Sequence, residues 1–398
     1  MKIVQVYKDY EPPVFGGVEH TMRLLSRGLA RIPGYQSTVV CSWDRPVTRV
    51  EQLEETTVVR VATFGRLARS PVSPTLPGWL RRLQPDILHF HYPNPTGEMS
   101  CLVAGPRCPV VVTYHADVVR QRQLLRVYRH PLARFFRRAD RILVTSPYML
   151  DGNALLEPHR DRCRVIPIGI DLGRMEDTPR ARQVAAEVRA RCAAPVVLFV
   201  GRMRPYKGLP VLVEAMREVP GTLLLVGSGE QEARVRERIQ ALGLESRVVM
   251  TGDVPDADLP GYYRAADLFV LPSVSRSEAF GLAMVEAMSC GLPVVSTRLG
   301  TGTSFVNQDG VTGLEVPAGD PGAMAVAMRR LLSNREEARR MGESARARAL
   351  TLGSEAMVAQ IVAQYEELAG RRSGRAQRGP DFPPAPAGVG APGGSGPA

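Results

Sequence analysis

Two glutamates separated by seven residues form the pattern in this sequence with the most evident chemistry. Glu278 follows an apolar run, and Glu286 lies inside the helix predicted next along the chain. Gly281 opens that helix, so its free N–H groups and positive dipole end face the segment that carries Glu278. Such a geometry can hold a phosphate at the helix N-terminus while the carboxylates accept hydrogen bonds from sugar hydroxyls. Glu286 has apolar neighbours, and a carboxylate on a buried helix needs a polar partner; an exposed helix glutamate is the alternative.

A second charged group, Arg202 and Lys207, follows the first apolar run of the second half of the chain. Arg202 is placed at the carboxyl end of a predicted strand, where open α/β sheets bind ligands. Lys207 is one of three lysines among 51 basic residues, and it precedes a glycine that opens a helix. A compact ammonium there suits a phosphate, although a solvated lysine at a helix start is the alternative.

Three further patterns are weaker. Gly16 and Gly17 follow the first predicted strand and enter a helix, so they either present N–H groups to an anion or form an ordinary turn. The GxG at 227–229 lacks the third glycine of a dinucleotide fingerprint, which lowers the support for a hydride-transferring oxidoreductase. Asp256 and Asp258 imitate a metal-binding pair, but we expect them to cap the following helix and predict no metal site.

Short apolar runs that alternate with amphipathic stretches must position these residues. Continuous Val, Ile and Leu runs are typical of strands buried on both faces, and their alternation with helices predicts parallel βαβ units. The runs are at 3–7, 37–41, 86–90, 110–115, 141–146 and 164–168, and then at 196–200, 222–226, 248–251, 268–272 and 293–297. The sequence therefore predicts an α/β protein with two Rossmann-like halves, each a doubly wound parallel sheet.

Composition narrows the class of protein further. Of the 398 residues, 44% are hydrophobic and 23% charged, as in soluble globular proteins. The sequence contains no apolar window long enough for a membrane span, and its start is expected to be a strand rather than a signal peptide. The six cysteines contain no CxxC pair and are expected to be reduced thiols of a cytoplasmic protein. A net charge of +11 suits a phosphate-rich partner such as a nucleotide or an anionic membrane, although an arginine-rich genome also explains it.

In combination, the charged residues and glycines above, with a histidine at the end of a first-half strand, resemble the retaining GT-B glycosyltransferases of family 4. The resemblance covers about residues 1–370. Members include mannosyl- and glucosyltransferases of polysaccharide and glycolipid assembly. The residues that carry the resemblance are Gly16, Gly17, His115, Arg202, Lys207, Glu278 and Glu286.

The resemblance implies roles for individual residues. Arg202 and Lys207 would hold the diphosphate of a nucleotide sugar, Glu286 its ribose, and Glu278 hydroxyls of the transferred sugar. His115 would lie near the reactive carbon of that sugar, although a hydrogen-bonded core histidine is the alternative. Backbone N–H groups of Ala279, Phe280, Gly281 and Leu282 would meet phosphate and sugar, Gly16 and Gly17 would contact the donor, and Asp253 and Val254 would cup the base. The chain departs from the family at Ile168, where Asn is common.

The resulting domain organisation places the donor site between the two halves of a GT-B fold. The polar linker is predicted without apolar periodicity, and the C-terminal helix could pack back on the first half. The tail has little apolar bulk to bury and is expected to be disordered. The predicted segments are the acceptor-side domain at 1–172, the linker at 173–194, the donor domain at 195–353, the C-terminal helix at 354–370 and the tail at 371–398.

The stretch from His115 to Arg141 combines an apolar helical face with eight arginines outside it. Two interpretations are open: a core-facing helix with a solvated face, or a surface at 118–141 that docks on an anionic membrane. Pro131 is expected to kink or split this helix.

The sequence thus favours a retaining hexosyltransferase that uses GDP-mannose or a UDP-hexose without any cofactor and acts on a saccharide or lipid-linked acceptor. The enzyme would be cytoplasmic, with possible contact to the inner face of the cytoplasmic membrane. The alternatives are an acceptor-independent nucleotide-sugar epimerase or hydrolase, and a non-catalytic nucleotide-sugar-binding or scaffold protein. Nucleic-acid binding is disfavoured, because the usual signatures are missing.

Overall fold

The computed structural model describes residues 1–14, 16–67, 70–115 and 122–377, and it describes the side chains of all of these except 122–127 and 372–377. Within these ranges two parallel sheets are each flanked by helices, which is the predicted α/β class.

The first sheet has eight strands, and every neighbouring pair is parallel except the edge pair formed by the third and fourth strands. A short ribbon, β5 (Arg66–Leu67) and β6 (Ser70–Pro71), lies apart from it. The sheet strands are β1 (Lys2–Val6), β2 (Gln36–Ser42), β3 (Arg49–Leu53), β4 (Thr56–Val61), β7 (Ile87–Tyr92), β8 (Val110–Tyr114), β9 (Arg141–Val144) and β10 (Cys163–Val165). Their spatial order is β10-β9-β8-β7-β1-β2-β4-β3.

The second sheet has six strands, all parallel, in the order β13-β12-β11-β14-β15-β16. Every apolar run predicted as a strand is a strand in one of the two sheets. The additional strands β3, β4 and β16 were not predicted; β3, for example, is polar and half exposed. The strands are β11 (Val196–Val200), β12 (Thr222–Val226), β13 (Val248–Gly252), β14 (Leu268–Leu271), β15 (Val294–Arg298) and β16 (Gly313–Pro317).

The helices cover the faces of the two sheets. Short 3-10 turns at Pro147–Met149, Glu157–Arg162, Leu172–Met175 and Pro205–Lys207 join some of them. The helices are α1 (Gly17–Ala30), α2 (Leu76–Arg82), α3 (Pro95–Ala104), α4 (Arg122–Arg138), α5 (Pro179–Arg191), α6 (Leu209–Ala215), α7 (Glu232–Ala241), α8 (Leu259–Ala265), α9 (Leu282–Ser289), α10 (Gly302–Val306), α11 (Pro321–Ser333), α12 (Arg335–Leu350) and α13 (Ser354–Gln377).

The polar segment 173–194 contains helix α5, and the prediction that this segment lacks apolar periodicity is wrong. Ala181, Val184 and Val188 are spaced to share one helical face, and all three are buried. Val184 packs against Gly261 of α8 so closely that a Cβ at Gly261 would overlap it. The many arginines around these three residues mask the pattern in the sequence.

Helix α4 is one continuous helix with Pro131 inside it, so Pro131 does not split it. In the described part of α4, Leu132, Phe135 and Phe136 are buried in the core of the first half. The opposite face, with Arg129, Arg134 and Arg137, is exposed. The apolar face of α4 therefore packs in the core, so contact with a membrane would have to be made by the exposed arginines of this helix. In the described ranges, no helix has the length and apolar character that crossing a membrane requires.

Helix α13 returns from the second half of the chain and packs on α1. Its buried residues Met357, Ile361 and Tyr365 join one core cluster with Leu25 and Leu29 of α1. The helix continues to Gln377, beyond the predicted end at 370. The remaining predicted tail, 378–398, lies outside the described residues.

The contact between α1 and α13 depends on Gly28. A Cβ placed on Gly28 would lie 2.5 Å from a methyl carbon of Val358, closer than packed atoms approach. We therefore expect Gly28→Ala to lower the free energy of unfolding by about 1–3 kcal/mol, despite the better helix propensity of alanine. Urea denaturation measures the change.

Two further variants control this prediction. Gly370 lies in α13 with open space around it, so Gly370→Ala should stabilise the protein by about 0.5–1 kcal/mol. Adding Val358→Ala to Gly28→Ala should recover stability, because it removes the overlapping methyl groups. Equal effects of the two glycine substitutions would contradict the proposed overlap.

Candidate functional site

Several predicted site residues lie after the carboxyl ends of strands, next to the point in each sheet where strand order reverses. In the first sheet this point lies between β1 and β7, and in the second between β11 and β14. Loops leave in opposite directions there and open a crevice, which is the common ligand site of doubly wound sheets.

At the crevice of the second sheet, Lys207 and Glu278 form a buried ion pair. The Lys207 Nζ lies 2.6 Å from the Glu278 Oε2, and both side chains are about nine-tenths buried. The Ser273 hydroxyl donates to the same carboxylate oxygen over 2.9 Å. The two residues predicted to bind phosphate and sugar hydroxyls therefore lie side by side, and the ammonium is already oriented by a carboxylate.

Local backbone geometry brings this pair together. Lys207 ends the 3-10 turn after β11, and Gly208 follows it with φ 68°, in the left-handed region that favours glycine. A Cβ on Gly208 would collide with the carbonyl oxygen of Pro272, at the end of β14. Only glycine lets the Lys207 turn approach the segment that leads to Glu278.

The N-terminus of α9 points its free N–H groups toward the same loop. Gly281 occupies the N-cap position with φ 79° and offers no side chain to cap the helix. Ala279 and Phe280 link Glu278 to this N-terminus, and Phe280 is buried in the core. The segment that ends at Leu282 thus combines a positive dipole end with backbone donors, as the sequence predicted.

Glu286, one turn into α9, finds the polar partner that its buried helix requires. The Tyr263 hydroxyl of α8 donates to its Oε2 over 2.7 Å. Burial raises the pKa of Glu286, while the hydrogen bond from Tyr263 and the nearby charge of Arg174 oppose that rise. The residue as a whole is partly buried, and one of its carboxylate oxygens accepts from Tyr263.

Arg202 and Asp253 lie at the surface after β11 and β13. Arg202 is exposed. Asp253 is also exposed, and its Oδ2 accepts a hydrogen bond of 2.8 Å from the Ser228 hydroxyl. Val254 is partly buried and packs against the second-half core. Ile168 packs against this same core, which gives an apolar role to the position where the family often has Asn.

The two aspartates that imitate a metal-binding pair are both bound to arginines. Asp256 lies 2.8 Å from Arg174, and Asp258 binds Arg180 through two hydrogen bonds of 2.7 and 2.9 Å. Asp258 holds the N-cap position of α8 but makes no side-chain cap hydrogen bond, so the predicted capping role is wrong. Its carboxylate binds the guanidinium of Arg180 instead. Among the described residues, no group of three or more His, Cys, Asp or Glu is placed to hold a metal ion.

In the first sheet, His115 follows β8 and is buried. Its Nε2 lies 2.9 Å from the Nδ1 of His91 on β7, and the two rings are stacked. Burial lowers the pKa of His115 to about 3, so the imidazole is neutral. Gly16 is the exposed N-cap of α1, and Gly17, the first residue of the helix, is exposed as well.

Sequence reasoning missed Tyr263, Ser273 and His91, which are the partners of predicted site residues. His91 left a signal, because His89 and His91 are polar residues in an otherwise apolar run and share one face of β7. Nothing in the sequence indicated Tyr263 or Ser273, since only the fold brings them to the carboxylates of Glu286 and Glu278.

The buried ion pair should contribute strongly to stability. Lys207→Met leaves the carboxylate of Glu278 buried without its counter-charge, so we expect a loss of about 3–5 kcal/mol in the free energy of unfolding at pH 7. The matched control is Arg329→Ala, which breaks the exposed pair with Glu218 and should cost less than about 1 kcal/mol. Urea denaturation of both variants measures the difference, and similar small losses would show that the Lys207 pair is not effectively buried.

Comparison with known proteins adds family information to this geometry. Residues 15–174 match the family described as Glycosyltransferase Family 4, and residues 185–348 match Glycosyl transferases group 1. The chain is 34% identical to the O-antigen chain mannosyltransferase C of Escherichia coli over 350 residues, which cover 87% of this chain and 93% of that protein.

Solved structures share the architecture. Sucrose-phosphate synthase from Thermosynechococcus elongatus superposes with a TM-score of 0.76 at 26% identity, covering 93% of this chain and 99% of that one. The Anabaena protein HepE in complex with UDP superposes with a TM-score of 0.73 at 21% identity, covering 92% and 100%. The latter likeness concerns the fold alone.

Proposed function

This chain belongs to the group 1 and family 4 glycosyltransferases, and we propose that it moves a hexose from a nucleoside diphosphate sugar to a saccharide or lipid-linked acceptor with retention of configuration. It has the GT-B fold of two Rossmann-like halves. The observation that carries the proposal is the Lys207–Glu278 pair at the crevice of the second sheet, next to the N-terminus of α9.

The chemical problem in this reaction is the charge of the leaving group. As the bond from the sugar C1 to the phosphate oxygen breaks, the diphosphate gains negative charge and C1 becomes oxocarbenium-like. Arg202, Lys207 and the N-terminus of α9 are positive groups that stabilise the departing oxygen. The acceptor attacks on the face from which the diphosphate leaves, and the departing phosphate takes its proton.

Further residues would hold the rest of the donor. Glu278 accepts hydrogen bonds from sugar hydroxyls, and the carboxylate of Glu286, oriented by Tyr263, accepts from the ribose. Asp253 and Val254 flank the base. His115 stands at the first-half side of the transferred sugar, where Gly16 and Gly17 offer the N–H groups of α1.

The donor is a mannose or glucose type of nucleotide sugar, and no cofactor or metal takes part. The mannosyltransferase of Escherichia coli supports mannose, for which GDP-mannose is the expected donor, and a UDP-hexose is the alternative. The enzyme would work at the cytoplasmic side of a membrane.

A transfer assay tests the function. The protein is incubated with GDP-mannose or UDP-glucose and a lipid-linked saccharide, with and without EDTA. We expect sugar transfer that needs acceptor and survives EDTA. Arg202→Ala should slow transfer on the order of 100-fold, because its contact strengthens as phosphate charge develops.

Arg204→Ala is the matched control, since Arg204 is an exposed arginine two residues along the same loop. Nucleotide-sugar turnover without acceptor would instead identify an epimerase or hydrolase. Loss of activity in EDTA would return Asp256 and Asp258 to consideration as metal ligands.

We also propose that the exposed arginines of α4 contact an anionic membrane, where a lipid-linked acceptor would lie. Two arginines of the predicted surface are occupied: Arg138 binds Asp140 and two backbone carbonyls, and Arg141 is buried against Glu367. Arg129, Arg134 and Arg137 remain exposed. The part of the surface at 118–121 lies outside the described residues, as do the side chains of 122–127.

Replacing Arg129, Arg134 and Arg137 together by Gln should weaken binding to anionic vesicles by roughly 1 kcal/mol per charge. Binding should fall with salt, since screening shortens the Debye length to about 8 Å at physiological ionic strength. Sedimentation of the protein together with anionic vesicles measures this binding. The control variant replaces three exposed arginines of the second half, Arg182, Arg236 and Arg339. If both variants lost vesicle binding equally, the binding would depend only on the net charge of the protein, and α4 would not be a docking surface.

A further inference from the structure

A chain of buried hydrogen bonds runs from the middle of the first sheet to His115. Gln5 on β1 and His91 on β7 are the links, and neither side chain is accessible to solvent. The Oε1 of Gln5 lies 3.2 Å from the Nε2 of His91, and the Nδ1 of His91 lies 2.9 Å from the Nε2 of His115. The chain therefore crosses from β1 to β8 at the point where strand order reverses.

The far end of this chain fixes its direction. The Nε2 amide of Gln5 faces the hydroxyl of Ser26 at 2.8 Å and the backbone carbonyl of Met22 at 3.5 Å. A carbonyl oxygen can only accept, so the amide NH₂ group must point that way. The Oε1 of Gln5 is then turned toward His91, and it can only accept a hydrogen bond from that ring.

Each following hydrogen bond then has one possible direction. Because Gln5 accepts, the proton of His91 is on Nε2, and its Nδ1 carries a lone pair. Burial holds the pKa of His91 well below its usual value, so the ring has a single proton. Its Nδ1 must accept the N–H of the His115 Nε2. The neutral His115 ring then has its lone pair on Nδ1.

The last atom of this series of hydrogen bonds is the Nδ1 of His115. The Nδ1 of His115 is buried, and among the described residues it makes no hydrogen bond. A buried acceptor without a donor costs free energy, so such atoms are exceptional in folded proteins. His115 also lies at the carboxyl end of β8, the edge of the sheet where ligands bind.

A neighbouring hydrogen-bonded chain provides a comparison. His89 stacks on His91, but its ring nitrogens bind Thr113 at 2.7 Å and the hydroxyl of Tyr365 at 2.5 Å. Both nitrogens of His89 are therefore satisfied within the core. The nitrogen without a partner among the described residues, Nδ1 of His115, lies instead at the end of the hydrogen-bonded series Gln5–His91–His115, which leads to the crevice.

We propose that Gln5 and His91 are positioning residues that hold His115 in its Nε2-protonated form, so that its bare Nδ1 accepts a hydrogen bond from a hydroxyl of the bound sugar. The identity of the ligand rests on the proposed function; the proton arrangement does not. The arrangement selects a ligand that donates a hydrogen bond, such as a sugar hydroxyl, and disfavours a phosphate oxygen at this atom.

The proton arrangement is measured by ¹⁵N NMR of the full chain labelled at histidine, with His115→Gln used to assign its signals. We expect the Nε2 of His115 to carry the proton and its Nδ1 to resonate as an unprotonated nitrogen. A proton on Nδ1 would overturn the proposal. In His91→Leu the acceptor for the Nε2 proton is removed, so a mixture of the two tautomers should appear, whereas His91→Asn, whose side-chain oxygen can accept in place of Nδ1, should restore the original form.

Measurements of ligand binding distinguish a positioning role of His91 from a purely structural one. His91→Leu should weaken binding of GDP-mannose or UDP-glucose roughly tenfold, the usual effect of one hydrogen bond, and leave binding of GDP or UDP unchanged. Thr113→Val is the control, because it removes a partner of His89 on the same sheet face without touching the Gln5–His91–His115 chain. Gln5→Leu should reproduce the effect of His91→Leu if that variant fails to fold.

An equal loss of sugar affinity in Thr113→Val, or unchanged affinity in both His91→Leu and Gln5→Leu, would overturn the positioning role. Failure of the proposed function looks different. If the wild-type protein binds neither nucleotide sugar while NMR shows the Nε2-protonated form, the proton arrangement stands and the sugar is the wrong ligand.

Discussion

A buried charge in this protein is stable only beside an opposite charge or a hydrogen-bond partner, and this requirement organises the functional crevice. Removing a charged group from water costs several kcal/mol unless such partners replace the water. Lys207 and Glu278 meet the requirement with each other, and Glu286 meets it through Tyr263. Each partner also fixes the direction of the side chain, so the groups that would face a nucleotide sugar are oriented before it binds.

The two sheets meet the same requirement by different chemistry. The second sheet uses charges and a helix dipole, which suit the diphosphate of a donor. Beside the crevice of the first sheet the buried histidines are neutral, because burial lowers the pKa of His89 and His115 to about 3. A neutral, directional acceptor suits an uncharged sugar.

Much of this arrangement could be predicted from the sequence, and the limits have physical causes. Parallel strands buried on both faces produce continuous apolar runs, so every run predicted as a strand was found in one of the sheets. Helix α5 was hidden because three buried residues are too few to stand out among arginines. Glu278 and Glu286 could be selected as candidates from their spacing. Their partners could not, because a hydrogen bond such as that between Tyr263 and Glu286 joins side chains of different helices, 23 positions apart.

The return of α13 to the first half has a consequence for the order of folding during synthesis. Domains generally fold as they leave the ribosome, the N-terminal one first. Here the hydrophobic face of α1, with Leu24, Leu25 and Leu29, is completed only by residues from 357 onward. The buried core of the second half draws on residues from 170 to 352, with Ile168 packed against it, and includes no residue of α13. The second half can therefore finish folding first. The first half, although it is synthesised earlier, keeps the hydrophobic face of α1 uncovered until α13 has left the ribosome.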